Sequence, residues 1–386
     1  MKKSKKNIST RLSRVGLNPK SNYGIPNPPV YHASTILYPN SKSHRTKKVK
    51  FQYGRFGTPT SETFCNAIAD LYDADGSIVT PSGLAAAVIG ILSFVKKGSH
   101  LLVTDSAYGS TRNFISKFLP IMGVEVEFYN PRIKPKDFEK LIKENTSLVY
   151  FESPGSLTFE LQDFPKLCQI TNRLNIKSIA DNTWGTILGQ NPLNLGVDVV
   201  IESYTKYVTG HSDVMMGGVI ARNNNFRKIK KQAEIMGQCT SPDDIYLAMR
   251  GLRTMEVRLE KSFASSVKVA NWISKISHVK NVFHPATKHH PDNKIFQRDF
   301  NIGAGLFSFE LSEKDPKKID KFIDSLELFG IGASWGGFES LVLQADLEKI
   351  RNFESFKNST LIRLAIGLEN PDDLIDDLNK AFNKLN

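Results

Sequence analysis

Ser178-Ile-Ala-Asp-Asn-Thr-Trp184, followed by Val197-Asp-Val-Val-Ile-Glu-Ser-Tyr-Thr-Lys206, is the stretch that decides the fold. Each half is a short apolar run, Ser178–Ala180 and Val197–Ile201, that gives way to polar residues at its carboxyl end. Such runs read as buried strands. Outward from them, Leu148–Phe151, Val124–Tyr129 and Leu101–Val103 repeat the pattern, and helical segments such as Phe164–Leu174 lie between most of them. Further back, Ser82–Val95 places Leu84, Val88, Ile91, Leu92 and Val95 on one helical face. This alternation, beginning at Ser61, predicts an α/β fold with a mainly parallel sheet covered by helices on both faces. Ligands in such sheets bind beyond the carboxyl ends of the strands, which is where the polar residues fall.

The flanks read differently. Residues 1–60 carry Pro19, Pro26, Pro28, Pro29 and Pro39 and show no helical period, the pattern of an extended arm that lies against a partner subunit. After about Thr240 a long helical stretch runs from Pro242 towards Ile276. Strands near Gly305–Leu311 and Leu361–Ala365 follow, with helices at Lys317–Leu328 and Pro371–Leu385. The expected division is an arm (1–60), a large domain (61–240) and a smaller α+β domain (241–386).

The 386 residues are 40% hydrophobic and 23% charged, enough for two ordinary cores. The net charge of +12 comes from scattered lysines, densest at Lys2, Lys3, Lys5 and Lys6, with no nucleic-acid-binding motif beside them. Cys65, Cys168 and Cys239 form neither a metal spacing nor a disulfide framework, which points to a reducing cytoplasm. The charged N-terminus has no apolar run behind it, unlike a signal peptide, and no apolar stretch approaches the ~20 residues of a membrane helix. No metal site, nucleic-acid partner or membrane contact is expected. His278, His284, His289 and His290 read as solvated loop histidines.

Five features carry chemistry. Lys206 follows a strand and has Ser203 and Thr205 beside it as phosphate-binding hydroxyls; alone, such a lysine is commonly a solvated one. Asp181 ends a strand, where a turn aspartate is the ordinary reading and a carboxylate facing the crevice the functional one. Pro81-Ser82-Gly83-Leu84 joins a strand to a helix whose free N–H groups suit a phosphate. There is no Walker pattern and no Gly-x-Gly-x-x-Gly, so nucleotide binding lacks support. The Tyr108 ring can stack on a planar group. Arg363 is a charge inside an apolar strand, satisfied by a structural salt bridge or by a substrate carboxylate.

Together with Tyr53-Gly-Arg55, Glu152-Ser-Pro-Gly155, Asp181-Asn-Thr183, Gly210-His-Ser-Asp213 and Arg363-Leu, these features make nearly the whole chain resemble the Cys/Met-metabolism enzymes that use pyridoxal 5'-phosphate (PLP), of the aspartate-aminotransferase fold. Ser334-Trp-Gly-Gly-Phe-Glu-Ser340 resembles the β-lyase branch, since γ-lyases and γ-synthases usually have leucine where Trp335 stands. The resemblance implies fold type I, a large domain around a seven-stranded sheet, and conversion of cystathionine to homocysteine, pyruvate and ammonia in methionine biosynthesis. It implies that Lys206 binds the cofactor covalently and moves the Cα proton, that Asp181 pairs with the ring nitrogen, and that Tyr108 stacks on the ring. Ser82, Gly83, Leu84, Ser203 and Thr205 would surround the phosphate, with Tyr53 and Arg55 reaching it from a neighbouring subunit of an obligatory dimer that builds a tetramer. Ser334, Trp335 and Arg363 would meet the substrate. Phe56, Asn113 and Ala333 depart from the β-lyase pattern, where arginine, an acid and tyrosine are common. That weakens recognition of the distal end of cystathionine and leaves room for side activities, alanine racemisation and cysteine or cystine desulfhydration among them. A γ-lyase or γ-synthase is the alternative within the family, and a non-catalytic basic binding protein the alternative from another class.

Overall fold

The computed structural model describes residues 6–345, 347, 351–353 and 360–385. Lys2, Lys3 and Lys5 of the basic N-terminal cluster lie outside the described residues. A seven-stranded sheet contains β1 (Gly76–Thr80), β2 (His100–Thr104), β3 (Glu125–Tyr129), β4 (Thr146–Glu152), β5 (Lys177–Asp181), β6 (Val199–Glu202) and β7 (Gly217–Ala221), in the order β1-β7-β6-β5-β4-β2-β3. The pairings β2–β3, β2–β4, β4–β5 and β5–β6 are parallel, while β7 runs antiparallel to β1 and β6.

The strands are apolar on both sides because the sheet is covered on both sides. Leu101, Val103, Leu148, Tyr150, Ile179, Val199, Ile201 and Val219 enter one core with the helix Gly83–Leu92. The intervening Leu102, Val149, Phe151 and Ala180 enter a second core with the helix Phe164–Arg173. Each fully buried large side chain contributes roughly 1.5–3 kcal/mol, so the sheet is a stiff platform.

The apolar face expected for the first of these helices is corrected in part: Ile91 is buried and Leu92 and Val95 pack against the core, but Leu84 turns outward. Ala86, Ala87, Ile89, Gly90 and Ile91 are buried, whereas Leu84 is 37% exposed. Small residues let the helix approach the sheet, with Gly90 against Ile179 and Ile201, and this apolar-all-round segment gave a periodicity count no contrast to detect.

A second, five-stranded sheet has the order β10-β11-β12-β9-β8, from β8 (Val279–Phe283), β9 (Leu306–Leu311), β10 (Gly330–Ile331), β11 (Leu341–Ala345) and β12 (Thr360–Ala365). The helices Pro316–Asp324 and Pro371–Phe382 pack on it. The stretch expected as one long helix from Pro242 is two, Pro242–Arg253 and Met255–Ile273, broken at Thr254. There Arg258 turns back, donating Nε to Thr254 Oγ1 at 3.1 Å and Nη2 to Gly251 O at 2.7 Å.

Two further expectations are corrected. Residues 1–60 are not uniformly extended: Ile8–Ser13 is a helix, capped by Asn7, that buries Leu12 in the main core, and Ser41–Thr46 is another. His284 and His290 are not solvated. His284 is fully buried, with Nε2 2.9 Å from Ser266 Oγ, and His290 is buried, with Nδ1 accepting from Asp292 N at 3.2 Å.

Candidate active site

The carboxyl ends of β4, β5 and β6 and the start of the helix Gly83–Leu92 meet at one edge of the large sheet. Ser82 caps that helix, its hydroxyl accepting from Ala85 N at 3.1 Å; such a cap contributes about 1 kcal/mol. The N–H groups of Gly83 and Leu84 remain at the helix mouth, the usual seat of an anion. Gly83 is required by close approach, since a Cβ there would lie 2.5 Å from Ser203 Cβ. Ser203 N donates to Thr183 Oγ1 at 2.9 Å, and Thr183 Oγ1 donates to Asp181 Oδ1 at 2.5 Å. Thr183 N adds a bond to the same oxygen at 2.9 Å. One chain of contacts thus joins the helix mouth to Asp181. Thr205 Oγ1 is already engaged, donating to Met216 O at 3.1 Å and accepting from Met216 N at 3.0 Å.

Lys206 stands on the turn after β6. Nζ donates to Ser334 Oγ at 2.7 Å and lies 5.3 Å from the centre of the Trp335 ring. Trp335 packs on Tyr207, whose hydroxyl accepts from Gly305 N at 2.8 Å. Burial, with a smaller contribution from the Arg363 charge, pushes the lysine down to about 8. Arg363, on β12, is buried; its Nη2 donates to the carbonyls of Gly332, Ala333 and Ser334 at 3.2, 2.9 and 3.0 Å. Its Nε is buried without a hydrogen-bond partner. Burial lowers this guanidinium to about 10, still cationic at neutral pH. A buried cation with an unused donor fits an incoming carboxylate.

Burial is also the first cause that raises the Asp181 carboxyl, opposed by the Thr183 bonds. A cation set against it would restore the charged form. Two neighbouring carboxyls are buried as well. Glu152, paired with Asp181 in the β4–β5 register, accepts Tyr108 N at 2.7 Å and is raised well above the usual carboxylate range, by burial first and Asp181 next. Glu202 accepts from Tyr72 at 2.7 Å and is raised to about 8, chiefly by burial. Neither was assigned a role from the sequence, although Glu152 stood in a quoted motif. An acid at the end of an apolar strand, as Asp181 is, was the available signal for both.

Tyr108 is half exposed at the start of the helix Gly109–Lys117. Tyr53 and Arg55 are placed elsewhere. Arg55 Nη1 donates to Glu234 O at 3.2 Å and its guanidinium lies on Phe56 and near Tyr53, with none of these contacts reaching Lys206 or Gly83.

A planar, anionic group with a basic ring nitrogen fits these residues: a helix mouth for its phosphate, Asp181 for its nitrogen, Lys206 for its aldehyde. Fold and edge together define a fold type I, PLP-dependent enzyme. Residues 9–383 match the Cys/Met metabolism PLP-dependent enzyme family, and the chain belongs to that family. It is similar to a protein of Rhizobium johnstonii provisionally named a cystathionine beta-lyase, with 43% identity over 379 residues, 97% of this chain and 96% of that protein. It is also similar to an L-alanine/L-glutamate racemase of Wolbachia pipientis, with 37% identity over 94% of this chain and 93% of that protein. In structure it resembles the cystathionine gamma synthase of Xanthomonas oryzae pv. oryzae solved with aminoacrylate and cysteine, with a TM-score of 0.92, 26% identity and 99% of each chain covered. Among the described residues, no helix is long and apolar enough to cross a membrane.

Proposed function

We propose that the chain is a carbon–sulfur β-lyase acting on cystathionine, releasing homocysteine, pyruvate and ammonia. The observation that carries the reading is the set Lys206–Ser334–Arg363 with Trp335 against it. Bound PLP supplies an electron sink for negative charge at the substrate Cα. Arg363 Nε and Ser334 hold the α-carboxylate. Lys206 Nζ, lowered by burial, takes the Cα proton as a base poised near the working pH. Gly83 and Leu84 N–H, Ser203 and Thr205 hold the phosphate, Thr205 by giving up its bond to Met216 O. Asp181, fixed by Thr183, keeps the ring nitrogen charged, and Tyr108 covers the ring. Elimination at Cβ asks for one base near Cα. A γ-reaction also asks that the amine reach Cβ, and the indole braced by Tyr207 restricts that swing. The Rhizobium relative supports the same branch.

Under this reading the site is completed by Tyr53 and Arg55 of a second copy, the dimer is obligatory, and the chain divides into arm, large and small domains near residues 60 and 240. Incubation with cystathionine and identification of the keto acid tests the activity. Pyruvate with homocysteine is expected; 2-oxobutanoate with cysteine would make it a γ-lyase.

The Wolbachia relative favours a second activity, racemisation of alanine. Alanine has no leaving group at Cβ, so elimination is closed and a proton returned to Cα regenerates alanine. Lys206 on one side and the Tyr108 hydroxyl on the other would give both enantiomers. In deuterium oxide, deuterated D-alanine from L-alanine is expected; exchange at Cα with the product wholly L would remove Tyr108 from that role.

A further inference from the structure

The buried carboxylate of Asp105, at the end of a strand of the large sheet, holds residues 352 and 353, which lie in sequence between two strands of the second sheet. Asp105 follows β2, three residues before Tyr108, and is fully buried. It receives Asn352 N at 3.1 and 2.9 Å, Phe353 N at 3.0 Å and Arg112 Nη1 at 2.8 Å. Arg112, four residues after Tyr108, holds Asn352 Oδ1 at 3.0 Å through Nη2 and lies 3.8 Å from the centre of the Phe128 ring. Arg112 N also donates to Tyr108 O at 2.8 Å. On the other side, Arg351 Nη2 donates to Ser156 O at 2.7 Å and Thr158 Oγ1 at 2.5 Å, and Ser156 N donates to Ser106 O at 2.8 Å.

Arg351, Asn352 and Phe353 belong to the connection between β11 and β12. β12 carries Arg363, and β11 follows Ser334 and Trp335. Residues 351–353, which lie in sequence between the two carboxylate-binding elements, are therefore fastened to both flanks of Tyr108. A buried carboxylate with two backbone N–H bonds and an arginine is a charge-assisted, geometrically specific joint, and it is costly to leave half-made.

We propose that Asp105, with Arg112 and Asn352, is a positioning clamp that sets the distance between the Tyr108 loop and the carboxylate grip of Arg363 and Ser334. The inference rests on the reading of the Lys206 cleft given above. A clamp of this kind prepares the site for the amino acid before it binds. Its loss therefore weakens substrate binding more than the proton-moving step at Lys206, because the Lys206 backbone is held by its own turn, with N donating to Ser203 O and its carbonyl accepting Gly210 N.

The test compares the PLP-loaded wild type with Asp105→Asn and the milder Asn352→Ala. The probe is 2-aminoisobutyrate, which has an α-carboxylate and no Cα proton. Its Kd is read from the circular dichroism of the cofactor band, beside KM and kcat for cystathionine and thermal unfolding. The expected result is a rise in Kd and KM of about tenfold for Asp105→Asn and about threefold for Asn352→Ala, with kcat within about twofold. Should Asp105→Asn fail to fold, the Asn352→Ala shift carries the decision. A lowered melting temperature with unchanged Kd and KM would make the joint purely structural and overturn the proposal, as would no change at all. A wild type that binds no PLP, or gives no response to the probe, would bring down the reading of the cleft and the clamp with it.

Discussion

The carboxyl edge of the large sheet and the N-terminal arm are built in opposite ways. At the edge, Glu152 and Glu202 are buried, Asp181 is held by two bonds from Thr183, and Gly83 fits against Ser203 with no room for a methyl group. The arm is fixed at its base, where Leu12 and Val15 enter the core, and is open beyond it, with Tyr23 99%, Leu37 88% and Phe56 47% exposed. A short bridge from Thr35 to Tyr53 gives the open part a shape without a core. The edge is packed and hydrogen-bonded within its own chain, whereas the arm leaves large aromatic and aliphatic side chains exposed.

The sharpest way to break this contrast is to remove Lys206. If the edge alone performs the proton transfer, Lys206→Ala lowers kcat by ~10⁴-fold without loss of fold, measured by turnover beside far-UV circular dichroism. A variant retaining a tenth of the activity would place the base elsewhere. Next in size is Asp181→Asn. A neutral partner cannot hold a charged ring nitrogen, and a fall in kcat of roughly a hundredfold is expected, with melting temperature near that of the wild type. Near-normal turnover would remove Asp181 from the chemistry.

Much of the edge was legible in the sequence, for a physical reason. The apolar runs of β2, β4, β5 and β6 are buried on both faces and end abruptly in polar residues that are themselves largely buried, so Asp181 and Lys206 stand out at strand ends. β7 was not legible as a strand, because Gly217-Gly-Val-Ile-Ala221 takes its place between β1 and β6 only through tertiary pairing. The helix break at Thr254 has no proline to announce it, and Gly251, three residues earlier, is still helical; at the break Arg258 folds back onto Gly251 O and Thr254 Oγ1. The burial of His284 depends on Ser266, on another element, and no local pattern reveals it. The clamp at Asp105 likewise joins residues about 250 positions apart.

The arm side of the contrast is sharpened by mixing chains. Arg55→Ala and Lys206→Ala proteins, each inactive, are expected to regain activity on chain exchange, because a hybrid dimer holds one intact site. Equal mixing should restore about a quarter of the native sites. No recovery after verified exchange would mean that Arg55 serves its own chain.

The smallest effect concerns acid stability. Burial pushes His284 down to about 3 and His290 down to about 4, against about 6.5 in the unfolded chain. The neutral rings contribute fully above pH ~6.5. As pH falls from there towards ~4 the unfolded state binds more protons, and stability is lost at up to about 1.4 kcal/mol per pH unit for each ring. His290→Asn keeps an acceptor for Asp292 N and removes one titrating group, so its melting temperature should fall less steeply between pH 6.5 and 4.5. An unchanged slope would mean that the ring titrates as it does in solvent.

Under the proposed function the strand-end edge holds the cofactor through Lys206. Borohydride reduction of the PLP-loaded protein followed by peptide mapping tests it most directly. One pyridoxyl label is expected, on Lys206 in the peptide that contains Ser203-Tyr-Thr-Lys206. A label on another lysine, or none on a protein that carries the cofactor, would contradict the account.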